Sequence, residues 1–373
     1  MTSLQDMFKL GQSPWIDYID RELITTAKIT VVLDSGVVGL TSNPTIWQKA
    51  FASTTAYDDD IKAGVQAGKS TVQIYEDIAV SDITRAADVL RPIYDSTKGV
   101  DGYVSLEVAP ALAYAAAGTL TEARRLFKLI DRPNLMIKIP GTPQGIGAYE
   151  QAIAEGINVN VTLLFGIGNF YQVADAYLRG LEARVAAGQP IDQVSSVASF
   201  FVSRVDTAID PRLQQLADAA TDPAQKEHLL ALRGKAAIAN AKVAYKAWQA
   251  LYASDRWLAL EKLGAKKQRC LWASTSVKDP AYSDVMYVEQ LIGSDTVDTI
   301  PPATIDAFLD HGKATSTIDQ NVDEAIAQIG EIENLGISLE AVAYQLQQDG
   351  LKAFTESFSS MIAAIGSKAE TVE

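Results

Sequence analysis

The chain has 373 residues, 48 % of them hydrophobic, enough to bury a large core. Its 32 lysines and arginines face 46 acidic residues, a formal net charge of -14, and that balance argues against nucleic acid as a partner because phosphate backbones demand a basic surface. A single cysteine, Cys270, excludes an intrachain disulfide and a zinc cluster of cysteines, and it reads as a small buried hydrophobe.

The segment Met1 to Lys9 shows no basic stretch followed by an apolar run, and no run of about 18 apolar residues occurs anywhere, so a soluble, cytoplasmic protein with no membrane partner is expected. Ser13 to Ile19 reads as a first strand with Trp15, Asp17 and Ile19 on one face, followed by a helix from Arg21 to Lys28. Gly39 to Pro44 is a second strand ended by Asn43-Pro44, and broken helical pattern runs from Thr45 to Leu90. In the third strand, Gly102 to Pro110, Val104, Leu106 and Val108 fall on one face and Ser105 and Glu107 on the other. Thr119 and Glu122 have capping-box spacing and predict a helix from Glu122 to Ile130.

The fourth strand, Asn134 to Pro140, sets Lys138 in otherwise apolar sequence, two residues before the Pro140-Gly141 step that ends it. An ammonium among apolar side chains loses hydration, which favours the neutral amine and equips it to attack a carbonyl carbon; the chemistry this suggests is a Schiff base. After a helix from Gly145 to Glu155, the fifth strand, Ile157 to Phe165, separates Asn158, Asn160 and Thr162 from Ile157, Val159, Val161 and Leu163. A helix from Gly168 to Ala187 leads to a sixth strand, Val194 to Arg204, with Ser199, Phe201 and Arg204 towards its end. Residues 210–267 are almost continuously helical, an insertion between the sixth strand and the seventh, Cys270 to Ser276. The eighth strand, Ser294 to Pro302, ends in two prolines, and helices over 320–366 follow.

Eight short strands alternating with helices predict an α/β fold, a (β/α)8 TIM barrel forming one domain over 1–373, with the polar face of each strand inside and the active site at the C-terminal strand ends. An open doubly wound sheet fits less well, because no Gly-x-Gly-x-x-Gly follows the first strand. A barrel mouth would gather Asp17, Asn43, Glu107, Lys138, Asn160, Thr162, Ser199, Arg204 and Ser276. This mixture suits aldol chemistry on a sugar: an amine for the imine, carboxylates to move protons, amides and hydroxyls for the polyol, an arginine for phosphate. The protonated imine withdraws electrons itself, so no metal or other cofactor is expected.

The segments Thr41-Ser-Asn-Pro-Thr45, Leu135-Met-Ile-Lys-Ile139, Ile157-Asn-Val-Asn-Val-Thr162 and Ser199-Phe-Phe-Val-Ser-Arg204 resemble transaldolases in content, order and spacing. The resemblance implies a class I transferase of the pentose phosphate pathway, moving a dihydroxyacetone unit from sedoheptulose 7-phosphate or fructose 6-phosphate to glyceraldehyde 3-phosphate or erythrose 4-phosphate. It implies Lys138 as the Schiff-base lysine, Asp17 as the acid/base at the C4 hydroxyl, and Glu107 with Thr162 and a water as the proton shuttle of carbinolamine formation and dehydration. Asn43, Asn160 and Ser199 would hold the dihydroxyacetone hydroxyls, and Arg204 the phosphate. Where many family members carry a second phosphate-binding arginine after an Ala-Ser step, this chain reads Ala273-Ser-Thr-Ser-Val-Lys278, which leaves Ser276 or Lys278 as the substitute. The similar fructose 6-phosphate aldolases have a tyrosine and a glutamine at the positions resembling Phe201 and Glu107, so these two residues favour transfer.

Each residue has a plainer role open to it. Asp17 could cap a helix, Asn43 could only make a turn, and Asn160, Thr162 and Ser199 could be satisfied interior polar residues. Arg204 could pair with Asp206, and Lys278 with Asp279. Gly145-Ile-Gly147 and Gly166-Ile-Gly168 read as helix starts, the two histidines, His228 and His311, as exposed, Trp248 and Trp257 as packing within the inserted helices, and Asp58 to Asp60 as a solvated helix end.

Overall fold

A computed structural model describes residues 1–372. Eight parallel strands close into a barrel in sequence order: β1 (Gln12–Asp17), β2 (Gly39–Thr41), β3 (Val104–Glu107), β4 (Leu135–Pro140), β5 (Val159–Leu164), β6 (Ser196–Phe201), β7 (Arg269–Ala273) and β8 (Thr296–Ile300). Helices surround it, which makes it the expected (β/α)8 barrel. Most strands are shorter than the sequence pattern suggests: all but β4 end before the expected residue, and β3, β5, β6 and β8 also begin two residues later. Asn43, for example, lies beyond β2 and caps the Pro44–Ser53 helix through its Oδ1, which accepts from the Ile46 N–H at 3.0 Å.

Register fixes which side chains meet. Glu107 pairs with Lys138 across β3 and β4, and Lys138 with Asn160 across β4 and β5, so all three stand on one side of the sheet at the same height. Between β1 and β2, Trp15 lies opposite Gly39, where a Cβ would come within 2.5 Å of the indole. Glycine is what lets that ring fill the barrel.

Several local expectations give way. The helix before β4 spans Ala116–Ile130, so Thr119 lies inside it and donates its hydroxyl to the Leu112 carbonyl at 2.7 Å instead of capping. The stretch after β1 breaks into two helices, Arg21–Thr25 and Lys28–Asp34. Arg204 is not on a strand: β6 ends at Phe201, and Arg204 occupies the first turn of the Ser203–Ala219 helix. That helix and three more, Pro223–Ala231, Ala236–Tyr252 and Asp255–Glu261, separate β6 from β7. The helical stretch therefore begins before residue 210. It is pinned by Asp206, which is buried and accepts from the Ala237 N–H and the Tyr287 hydroxyl, both at 2.8 Å, rather than pairing with Arg204. Tyr245, Trp248, Tyr252 and Trp257 pack ring against ring within it.

The C-terminal helix, Leu339–Val372, crosses the end of β5. There the β5–β6 register shifts between Val161 and Leu164, and Leu163 turns left-handed with φ 60°. The Gln347 side-chain amide, on the crossing helix, donates to the Leu163 carbonyl at 3.0 Å and the Gly141 carbonyl at 3.1 Å.

Candidate active site

A cleft of about 1390 Å³, counted out to its open mouth, lies at the C-terminal ends of the strands. Of the expected residues, Asp17, Asn43, Lys138, Ser199, Phe201, Arg204, Ser276 and Lys278 line it. Asn160 and Thr162 do not, because they are fully buried among the interior side chains. Glu107 lines a second cavity instead.

Lys138 is 4 % exposed, and its Nζ donates to the Ser42 carbonyl at 3.2 Å. Its Nζ lies 3.7 Å from the Glu107 Oε2. Burial pushes the Glu107 carboxyl up to about 7, with Lys138 pulling it down and Asp17 adding to the rise. Such a group exchanges protons near neutral pH. Burial also raises Asp17 above the ordinary carboxylate range, opposed first by Lys138 and then by Arg204. Asp17 caps no helix; Asp20 does, accepting from the Leu23 N–H at 2.6 Å.

Beside the lysine, Ser199 donates to Asn160 Oδ1 at 2.6 Å and Asn160 donates to Ser105 at 3.2 Å, which fixes the amide's orientation. The Oγ1 of Thr162 is buried with no partner among the described residues. Among the described residues the amide nitrogen of Asn43 has no hydrogen-bond partner, since only its Oδ1 serves the helix cap.

The outer part of the cleft is cationic. Arg204 stacks on Phe201, its guanidinium carbon 5.4 Å from the ring centroid, and burial lowers its pKa. Lys278, at the exposed rim, donates to Ser276 at 2.6 Å and is pushed below the usual lysine range by partial burial and then by Arg204 and Lys49. Among the described residues none of these three cations pairs with a carboxylate; Asp279, the sequence neighbour of Lys278, pairs with Arg233 instead. Three unpaired cations in a chain of net charge -14 make a site for an anion.

Lys49 was missed by the sequence reading, although it follows Thr45 by four positions on the Pro44–Ser53 helix and so shares its cleft-facing side. Phe354, a wall of the cleft on the C-terminal helix, carries no signal short of the tertiary fold. Asp298 was missed as well. It is fully buried on β8, with Oδ1 accepting from Thr275 at 2.8 Å and Oδ2 unpartnered.

Residues 14–365 match the family model described as Transaldolase/Fructose-6-phosphate aldolase. The chain belongs to that family. Among curated relatives, a transaldolase of Trichodesmium erythraeum is 46 % identical over 368 residues, covering 98 % of this chain and 97 % of that one. A transaldolase of Thiobacillus denitrificans is 46 % identical over 98 % of this chain and 100 % of its own, and one of Neisseria gonorrhoeae matches to the same extent. Membership in the transaldolase family makes the chain an enzyme that transfers aldehyde or ketone residues. No helix among the described residues is long and apolar enough to cross a membrane.

Proposed function

We propose that the chain is a transaldolase that moves a dihydroxyacetone unit from sedoheptulose 7-phosphate or fructose 6-phosphate to glyceraldehyde 3-phosphate or erythrose 4-phosphate through a Schiff base on Lys138. The observation that carries this reading is the pairing within one cleft of a buried lysine with an outer cluster of unpaired cations, Arg204, Lys278 and Lys49. The lysine amine attacks the ketose carbonyl, and Glu107, 3.7 Å away, protonates the departing hydroxyl of the carbinolamine. Asp17 then takes the proton of the C4 hydroxyl, the C3–C4 bond breaks, and its electrons are held by the iminium. The aldose phosphate leaves and an acceptor replaces it, its phosphate gripped by Arg204 with Lys278, Ser276 and Lys49 at the rim. Asn43, Ser199 and, behind Ser199, Asn160 hold the dihydroxyacetone hydroxyls.

Phe201 supports transfer over simple aldol cleavage. Its ring packs between Phe165 and Arg204 and brings no hydroxyl to the cleft, so it offers the bound intermediate no proton donor. Borohydride reduction in the presence of fructose 6-phosphate, followed by peptide mass analysis, tests the reading: the adduct is expected on Lys138 and absent from Lys138→Arg. Asp17→Ala should still give the adduct but fail to cleave. An adduct on another lysine, or activity retained in Lys138→Arg, rules the mechanism out.

A further inference from the structure

Lys138 and Glu107 form one ion pair but open into different spaces. The lysine lines the substrate cleft, whereas Glu107 lines a second cavity, about 640 Å³ counted out to its open mouth, bounded by β3 and four helices, Pro44–Ser53, Thr71–Ser96, Ala116–Ile130 and Leu339–Val372. Asn43 belongs to both walls. The second cavity is mainly apolar, built from Trp47, Tyr75, Ala79, Leu126 and Phe358. Yet two of its residues carry buried polar atoms without a hydrogen-bond partner among the described residues, Glu107 Oε2, which stands 3.7 Å from Lys138 Nζ, and Trp47 Nε1. At its outer rim stand Val72, 48 % exposed, and Glu76 and Glu122, which share Arg125 at 2.5 and 2.7 Å.

Leaving a buried carboxyl oxygen and an indole N–H without hydrogen bonds costs free energy that bound water recovers, and the cavity has room for several molecules. The chemistry at Lys138 also needs water. Dehydration of the carbinolamine releases one molecule and hydrolysis of the imine consumes one, at a moment when sugar phosphate fills the cleft. We propose that the cavity behind Glu107 is the water port of the imine, an inference that rests on the Schiff-base reading above. In dehydration the Glu107 carboxylic acid gives its proton to the carbinolamine hydroxyl, the C–O pair departs on the new water, and the nitrogen lone pair closes the C=N bond. That water leaves into the cavity. In the reverse direction a cavity water attacks the iminium carbon, the π pair returns to nitrogen, and the Glu107 carboxylate accepts the proton.

The test reads oxygen exchange. Fructose 6-phosphate labelled with ¹⁸O at its C2 carbonyl loses label to water each time the imine forms, above the uncatalysed rate. Val72→Trp narrows the rim and Ala79→Leu fills the interior; the first lies at the surface and leaves the fold intact should the second disturb it. Both should slow label loss from fructose 6-phosphate by about tenfold without raising its KM. Dihydroxyacetone is too small to fill the cleft, so water reaches its imine from the front, and its label loss should change by less than about twofold. Unchanged exchange from fructose 6-phosphate in Val72→Trp overturns the port, and so does equal slowing for both ketones. A wild-type chain that loses no label from either ketone overturns the imine itself.

Discussion

Glu107 Oε2 stands 3.7 Å from Lys138 Nζ because β3 and β4 pair these two residues directly, so the strand register alone brings the acid to the amine. Burial holds the Glu107 carboxyl at about 7, and it therefore gives up its proton as the pH rises through neutrality. The dehydration step that uses this proton should slow above pH 7. Pre-steady-state imine formation measured from pH 5.5 to 8.5 should show one break in wild type. Glu107→Gln should abolish the break and lower the rate by roughly 10²- to 10⁴-fold. A break that survives in Glu107→Gln assigns the proton to another group.

Arg204 sits against Phe201 with no carboxylate partner among the described residues, which leaves it open to the phosphate proposed above. Its planar guanidinium can hold two oxygens at once, whereas Lys278 and Lys49 supply point charges at an exposed rim. Arg204→Ala should weaken phosphorylated donors by roughly 2 to 5 kcal/mol more than their dephosphorylated analogues. Lys278→Ala and Lys49→Ala should cost less and lose their effect as salt rises. Steady-state kinetics with both donor types separates these cases, and equal losses for both in Arg204→Ala would make the arginine a support of the fold.

Asp298 is buried on β8 with one oxygen unpaired, and burial raises its carboxyl to about 8. Its folded-state pKa lies above the ordinary 3.8, so the folded chain binds this proton more tightly than the unfolded one. The stability it contributes is complete at low pH and declines as the pH rises towards 8. Asp298→Asn should flatten that decline. Urea unfolding at pH 6, 7 and 8.5 provides the check, and an identical slope in mutant and wild type assigns the titration elsewhere.

Gln347 reaches from the C-terminal helix to the Gly141 and Leu163 carbonyls, at the ends of β4 and β5. Gln347→Ala leaves both carbonyls without this donor and should destabilise the chain by about 1 to 3 kcal/mol. Gly350 lies on the same helix, where a Cβ would meet the Leu163 side chain at 2.8 Å and approach Arg204 Nη1 at 3.5 Å. Gly350→Val should therefore raise KM for phosphorylated donors as well as lower the melting temperature. Thermal melts with parallel kinetics distinguish the two variants.

The barrel was legible because several strands carry two-residue alternation and β2, β3, β4, β5 and β8 run into a proline, glycine or asparagine, local signals that survive without tertiary context. Asp17, Lys138, Ser199 and Arg204 were legible because strand ends of a barrel converge on one mouth. Glu107 was found too, but not that it faces a cavity apart from the cleft. That follows from how Trp47, Tyr75 and Leu126 pack on three different helices. The Thr119–Glu122 spacing misled, since a capping pattern inside a longer helix is satisfied by donation back to Leu112. The left-handed turn at Leu163 escaped for a related reason: it is set by a register slip against β6 and by Gln347 nearly two hundred residues away.

The seam between β1 and β8 joins Gln12 to Thr296, 284 positions apart, through a side-chain hydrogen bond of 3.0 Å. Contacts of such separation form late, because loop-closure entropy must be met before they return any stabilisation. Lys138 and Glu107 come from consecutive strands and should meet early, whereas Asp17 at the end of β1 and Pro301 beyond β8, which line one cleft, should come together only when the ring shuts. Catalytic turnover thus reports ring closure. During refolding, recovery of carbon-carbon cleavage should lag the far-ultraviolet signal of helices and track the slowest phase.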